Sequence, residues 1–366
     1  MESKPLIIRD LVAKFPLIQG GMGVGVSLSG LAGAVAAEGG IGVLSTAQIG
    51  YDEPDWDDHP IEANLRAIGR HIKAAREKAS GGIIGANIMV ATRFYEKYVK
   101  AAVAHGIDLI ISGAGLPVEL PAYVEGSDTK IAPIVSSAKS AMVILKMWDR
   151  KYKRCPDLVV IEGPLAGGHL GFDAETAEQV QSLDSRDQYK DSELLYGYED
   201  EIKKIIEAVQ PYSEKYGYRI PVVVAGGIHT AEDVKHILDL GADGVQVASR
   251  FVTTEECDAS MEYKMAYVNA EQKDIAIVKS PVGMPGRAIR NSFIKKCTSG
   301  TEEYKPKKCH QCIEKCHPSE IPYCITDALL NAVRGKVEDG LLFCGAKAYC
   351  AKRIETVKEV MEDLFP

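Results

Sequence analysis

Several features are missing from this 366-residue sequence, and each absence removes a class of function. No apolar run approaches the ~20 residues that a membrane-spanning helix needs. The start, Met1-Glu-Ser-Lys-Pro5, has no basic stretch leading into an apolar segment and a cleavage site, so no secretory leader is expected. No basic face interleaved with aromatics occurs. The formal net charge is -8 and the pI is near 5.6, which argues against nucleic acid or an anionic membrane as partner. Ready-made catalytic signatures are absent as well: no Gly-x-x-x-x-Gly-Lys-Ser/Thr loop, no Gly-x-Ser-x-Gly elbow and no His-Glu-x-x-His helix. Gly21-Met-Gly-Val-Gly-Val26 does not fit Gly-x-Gly-x-x-Gly. What remains is a soluble, cytoplasmic protein acting on a small molecule.

Hydrophobic residues make up 46% and charged residues 26%, an ordinary balance for a globular enzyme with a core large enough to need no staples. Of nine cysteines, Cys155 and Cys257 are scattered. The other seven (Cys297, Cys309, Cys312, Cys316, Cys324, Cys344 and Cys350) crowd into the C-terminal portion. Without a secretory context, such clustering favours metal ligation or packing over disulfides.

Glycine is plentiful, and its placement carries the reading. Short apolar runs alternate with helical stretches eight times between Phe15 and Phe251. Runs such as Val222-Val-Val224 are apolar on both faces, which suits parallel strands covered on both sides. Eight strand–helix units joined by right-handed crossovers predict a closed (β/α)8 barrel of the TIM type. Ser27, Ser137 and Thr230 are expected as helix caps. Residues 1–255 are read as the barrel and 256–366 as an α-rich, cysteine-containing C-terminal cap, with helices over Glu255–Asn269, Tyr323–Arg334 and Lys347–Leu364.

Glycine clusters follow the first, fourth, sixth, seventh and eighth strands, so they converge on one face of such a barrel. After strand six, Val159 to Phe172 ends a β-branched run in Ala166-Gly-Gly-His169. Glycine lets the backbone take positive φ and approach a ligand, and histidine titrates near neutrality. Ala225-Gly-Gly-Ile228 and Val247-Ala-Ser249 have the character of a barrel phosphate site, although such glycines can also merely relieve crowding at the rim.

Six motifs occur in order: Gln19-Gly-Gly-Met-Gly23, Gly85-Ala-Asn-Ile88, Ser112-Gly-Ala-Gly-Leu-Pro117, Ala166-Gly-Gly-His-Leu-Gly171, Ala225-Gly-Gly-Ile228 and Gly244-Val-Gln-Val-Ala-Ser-Arg-Phe251. Together they resemble the nitronate monooxygenase family, formerly the 2-nitropropane dioxygenases, which includes FMN-dependent enoyl-ACP reductases. Gly286-Arg287 to Asn291 extends the likeness. The resemblance implies non-covalent FMN at the strand C-termini, with Met22 and Gly23 along the ring and Asn87 hydrogen-bonded to it. Gly168, Gly226 and Gly227, with Gln246, Val247, Ala248 and Ser249, complete the implied cofactor set, Gly227 receiving the phosphate. His169 matches the active-site histidine. Two departures stand out: Ala248-Ser249 replaces a usual Gly-Thr, and Tyr198 or Glu199 stands where a glutamine is usual. A polar segment, Asp173 to Asp191, follows the histidine loop.

The resemblance implies oxidation of an alkyl nitronate with O₂ to a carbonyl compound and nitrite. Its alternative is NAD(P)H-dependent reduction of an enoyl thioester. A third reading is a flavin- or metal-based redox-sensing module. In the tail, Cys309, Cys312 and Cys316 at C-x₂-C-x₃-C spacing, with Cys324, could ligate zinc or an iron–sulfur centre, while His310 and His317 are expected to be solvated. The cap is read as covering the barrel mouth or forming the contact of a homodimer.

Overall fold

The computed structural model describes residues 4–181, 193–281, 283–299 and 304–366. Eight parallel strands close into a barrel: β3 (Leu17–Gln19), β4 (Ile41–Ser45), β5 (Ile83–Asn87), β6 (Leu109–Ser112), β7 (Lys130–Val135), β8 (Val159–Glu162), β10 (Val222–Ala225) and β11 (Gly244–Val247). The seam closes where Val245 of β11 pairs with Leu17 of β3. This is the (β/α)8 architecture expected from the alternation.

The period-two geometry of strands explains the runs that are apolar on both faces. In β10, Val222 and Val224 point outward to the helix layer, while Val223 points into the barrel. In β8, Val159 and Ile161 face the helices and Val160 the interior. The outer core takes Ile68 and Ile72 from α2 (Pro60–Lys78), Trp148 from α5 (Ala138–Tyr152), and Ile202 and Ile205 from α7 (Glu193–Tyr216). The remaining barrel helices are α1 (Ser29–Ala37), α3 (Tyr95–Ala104), the short α4 (Leu120–Tyr123), α6 (Ala174–Gln181) and α8 (Ala231–Asp239). Ser137 and Thr230 cap α5 and α8 in capping boxes, as their positions predict.

Ser27 does not cap α1. Its hydroxyl instead accepts the Met22 N–H at 2.8 Å, inside the glycine-rich turn. The cap is the Asp258 carboxylate, which accepts the N–H groups of Leu28, Gly30 and Leu31 at 2.7, 2.9 and 3.1 Å. A further element absent from the sequence reading is the antiparallel hairpin β1 (Leu6–Ile8) and β2 (Leu11–Ala13). Its Leu6, Ile8 and Ala13 pack with Ile18, Leu109 and Val160 in the barrel interior.

Beyond β11 come α9 (Ser249–Val252), α10 (Met261–Val268), β12 (Ile275–Lys279), β13 (Pro285–Ile289), α11 (Ser292–Thr298), α12 (Ile325–Val333) and α13 (Val357–Leu364). The first and last of the three expected helices are shorter than predicted. α10 starts only after the turn that delivers Asp258 to α1. Residues 347–355 form no α-helix: a 3₁₀ turn covers Ala348–Cys350, and tertiary bonds hold the segment, among them Lys347 to Asp233 and Glu355 N–H to the Thr253 carbonyl. α13 then returns to the barrel wall. Its Val357, Val360, Met361 and Leu364 share a core with Leu17, Leu31, Val35, Val245 and Phe251. Buried Arg250 is paired with Glu355 just ahead of α13, fixing the approach. Among the described residues no helix is long and apolar enough to cross a membrane.

Candidate active site

The strand exits converge on one cavity of about 470 Å³, a size suited to a small-molecule or cofactor site. Every residue expected at a cofactor lines it: Met22 and Gly23 after β3, Asn87 at the end of β5, Gly168 after β8, Gly226 and Gly227 after β10, and Gln246, Val247, Ala248 and Ser249 at the end of β11. His169 lines it too.

His169 is placed by more than its glycines. Gly168–His169 form β9, the edge of a three-stranded antiparallel sheet with β12 and β13, in register Gly286↔His169 and Arg287↔Gly168. The C-terminal segment therefore holds the histidine loop as part of its own sheet. His169 Nε2 lies 2.7 Å from Ser280 Oγ, and the Phe343 ring packs edge-on against the imidazole at 4.9 Å. Burial lowers the His169 pKa to about 4, so the imidazole is neutral at neutral pH.

Arg287, fully buried, donates through Nη1 to the Ala166 carbonyl and through Nε to Gln181 Oε1 at 2.7 Å. Two further bonds stitch the cap to strand exits: Gly345 N–H to Ser249 Oγ at 2.8 Å and Ala346 N–H to the Leu165 carbonyl at 3.1 Å. Gly167 is required by this closeness, since a Cβ there would sit 2.5 Å from the Cys344 carbonyl carbon. Gly168 differs. Its φ is +73°, and a Cβ there would meet no protein atom within 4 Å, so the backbone faces open space.

Glu162, at the end of β8, also lines the cavity. Burial raises its pKa to about 7, against the Gly171 N–H and the Arg287 charge, which lower it. Its Oε1 is buried without a hydrogen-bond partner among the described residues. Glu162, Ser280, Phe343 and Lys347 were not singled out by the sequence. Glu162 directly follows the run predicted as a strand and could have been noticed, whereas the other three reach the site only through tertiary folding. Lys347 brings a cation to the cavity wall, paired with Asp233 at 2.8 Å.

Neither Tyr198 nor Glu199 lines the cavity. Tyr198 packs edge-on against Phe172, and Glu199 binds His236 Nε2 at 2.8 Å. Of the polar segment 173–191, residues 174–181 fold as α6 and residues 182–191 lie outside the described residues.

The four cysteines do not meet as one set of ion ligands. Cys309 is exposed, Cys312 lines the cavity, Cys316 is half-buried and Cys324 is buried. Among the described residues, the group with single-ion spacing is His310, Cys324 and Asp327. The expectation that His310 is solvated is corrected: it is buried, stacked on Trp56 at 4.6 Å and bonded to Asp327. His317 is exposed, as expected.

A family model described as nitronate monooxygenase matches residues 4–366. A probable nitronate monooxygenase of Staphylococcus aureus (strain Newman) is 25% identical over 317 residues, covering 80% of each chain. A probable nitronate monooxygenase of Staphylococcus saprophyticus is 31% identical over 147 residues, or 40% of this chain and 36% of that one. The match to this second relative thus spans little more than a third of its length. Among solved structures, FabK from Thermotoga maritima superposes with a TM-score of 0.70 at 24% identity, covering 96% of this chain and 92% of that one, a likeness of fold.

Proposed function

Because the chain belongs to the nitronate monooxygenase family, we propose that it is an FMN-dependent oxidoreductase that oxidises alkyl nitronates with O₂ to a carbonyl compound and nitrite. The observation that carries this reading is a neutral, half-buried histidine on the same cavity as every glycine and amide of the expected cofactor set.

The residues present fit a flavin mononucleotide. Gly226 and Gly227 take φ of +107° and +74°, which only glycine adopts freely, and they would turn backbone towards a phosphate. The Asn87 and Gln246 amides offer both donors and acceptors to a heteroaromatic edge. Open space at Gly168 leaves room for a ring against the backbone. Bound there, FMN would supply the electron-accepting and O₂-reacting chemistry, while the protein supplies orientation and electrostatics.

A neutral imidazole carries one lone pair and one N–H, so His169 would accept the α-proton of a nitroalkane through the former or donate a hydrogen bond to a bound nitronate through the latter. Ser280 fixes the orientation of its ring. Phe343 and the cap exclude water from that side of the ring. Expected partners remain the small-molecule substrate and a second copy of the chain in a homodimer.

The test is spectroscopic. The purified protein should show an oxidised flavin spectrum that bleaches on anaerobic mixing with an alkyl nitronate and recovers, with nitrite released, on admission of O₂. A flavin that stays oxidised with nitronate yet bleaches at once with NAD(P)H would overturn the reading in favour of enoyl thioester reduction.

A further inference from the structure

The loop carrying the cysteine motif is docked on the barrel rim. Arg93 N–H binds the Cys312 carbonyl at 3.1 Å, Glu314 N–H binds the Ala91 carbonyl at 3.1 Å, and Thr92 bridges to Ile313. Gln311 takes φ +53°, turning the chain beside His310. The imidazole is 6% exposed and stacks nearly parallel on Trp56, with 15° between the planes. Its Nε2 lies 2.7 Å from Asp327 Oδ1, while its Nδ1 is buried with no partner among the described residues. Cys324, 8% exposed, is the N-cap residue of α12, three positions before Asp327. One ligand atom from each of His310, Cys324 and Asp327 lies within 4.8 Å of the other two.

Imidazole, thiolate and carboxylate are the donors from which zinc sites are built, with ligand distances of about 2.0–2.3 Å. All three ligand atoms lie within 4.8 Å of one another, near enough for side-chain rotation to bring them onto one ion, with the His310–Asp327 hydrogen bond opening to admit it. Two of the three donors are anionic when ligating, and both sit at the N-terminus of α12, where the helix dipole favours negative charge. A buried imidazole with one nitrogen unpaired carries a desolvation cost that hydrogen bonding alone has not relieved here. We propose that His310, Cys324 and Asp327 form a binding site for a zinc-like divalent ion, its fourth position taken by water. Ile325 and Thr326, between two of the ligands, line the candidate active-site cavity. The ion therefore fixes a wall of that cavity, acting structurally and apart from the reacting atoms.

The experiment uses the full chain, stripped with a chelator and then titrated with Zn²⁺, or with Co²⁺ as a coloured probe. One ion per chain is expected, with a rise in Tm of at least about 2 °C. Co²⁺ should give a thiolate-to-metal absorption band that disappears in Cys324→Ser. His310→Ala and Cys324→Ser should weaken zinc binding by at least ~10-fold. Asp327→Asn, half-exposed and nearly isosteric, should do the same if either of those variants fails to fold. Cys309→Ser and Cys316→Ser should bind zinc as the parent does. The proposal is overturned if the parent binds no zinc, if Asp327→Asn binds it unchanged, or if Cys309→Ser or Cys316→Ser loses it. Iron with acid-labile sulfide in the purified protein would overturn it too, assigning the motif to a four-thiolate cluster.

Discussion

The Nε2 atom of His169 lies 2.7 Å from the Oγ of Ser280, a contact between residues 111 positions apart. It joins the loop after β8 to the end of β12, and the β9–β13 pairing makes the same connection through the backbone. The part of the chain that follows the barrel therefore sets the orientation of the histidine that the barrel presents.

This contact separates the roles of the two residues. His169→Ala should leave flavin bound and cut turnover by ~10²-fold or more if the imidazole moves a proton. Ser280→Ala should be milder, about 10-fold in kcat, because the base survives but loses its fixed rotamer. Flavin content from the visible spectrum and nitrite release under saturating nitronate would measure both. Equal losses in the two variants would mean that Ser280 does more than orient the ring.

The pH dependence has a definite sign. Burial lowers His71, His169 and His229 from 6.5 to about 4. Between about pH 4 and 6.5 the unfolded chain therefore holds more protons at these sites, and stability rises with pH across that window. Glu162 works the other way: its pKa is raised from 4.5 to about 7, so the folded state holds more protons between those values and stability falls with pH there. In Glu162→Gln the opposing contribution is gone. Urea unfolding should then show a larger gain in midpoint from pH 5 to pH 7 than in the parent. Parallel curves would show that Glu162 ionises freely.

Adjacent glycines should respond differently to the same change. At Gly167, alanine would drive Cβ into the 344–345 backbone and break the junction that carries the Gly345–Ser249 and Ala346–Leu165 bonds. At Gly168 there is room, and alanine costs only the positive φ, about 1–2 kcal/mol. Gly167→Ala should therefore lose flavin as well as stability. Gly168→Ala should remain folded, with any loss of flavin affinity reporting direct crowding of the ligand.

The legible parts of this fold are those specified locally. Val222-Val-Val224 announces a strand covered on both sides, and Ser137 and Thr230 announce caps, because partner and signal lie within a few residues. The site glycines were legible for the same reason, each lying within a few residues after an apolar run. The hairpin β1–β2 was not, because its strands have three residues each and owe their burial to the barrel floor. β9 has two residues and exists only through pairing with β13. His310 looked like a polar residue in a cysteine-rich loop, and only the fold supplies Trp56 and Asp327 to bury it. Ser27 carried the right chemistry for a cap, yet a carboxylate from position 258 occupies that role.

Asp258 is open to a direct stability test. Its two oxygens accept three of the N–H groups that α1 leaves unpaired, and they face the positive end of the helix. Asp258→Ala should cost about 2 kcal/mol, above a typical cap because the acceptor is a half-buried carboxylate taking three N–H groups. Asp258→Asn should recover part of it. α1 begins just after the turn bearing Met22 and Gly23, so the alanine variant should also bind flavin more weakly.

Removal of the last helix tests whether the barrel is complete without it. Val357, Val360, Met361 and Leu364 are buried against Leu31 and Val35 of α1 and Val245 of β11. At about 1.5–3 kcal/mol for each buried aliphatic side chain, four of them contribute on the order of 10 kcal/mol, comparable to the whole stability of a typical domain. Deleting residues 356–366 should therefore yield an insoluble or unfolded chain. A soluble, cooperatively unfolding truncation would place α13 outside the barrel's folding unit. The milder Leu364→Ala should lower stability by about 2–5 kcal/mol while leaving the flavin spectrum of the folded fraction unchanged, because Leu364 lies on the outer wall away from the cavity.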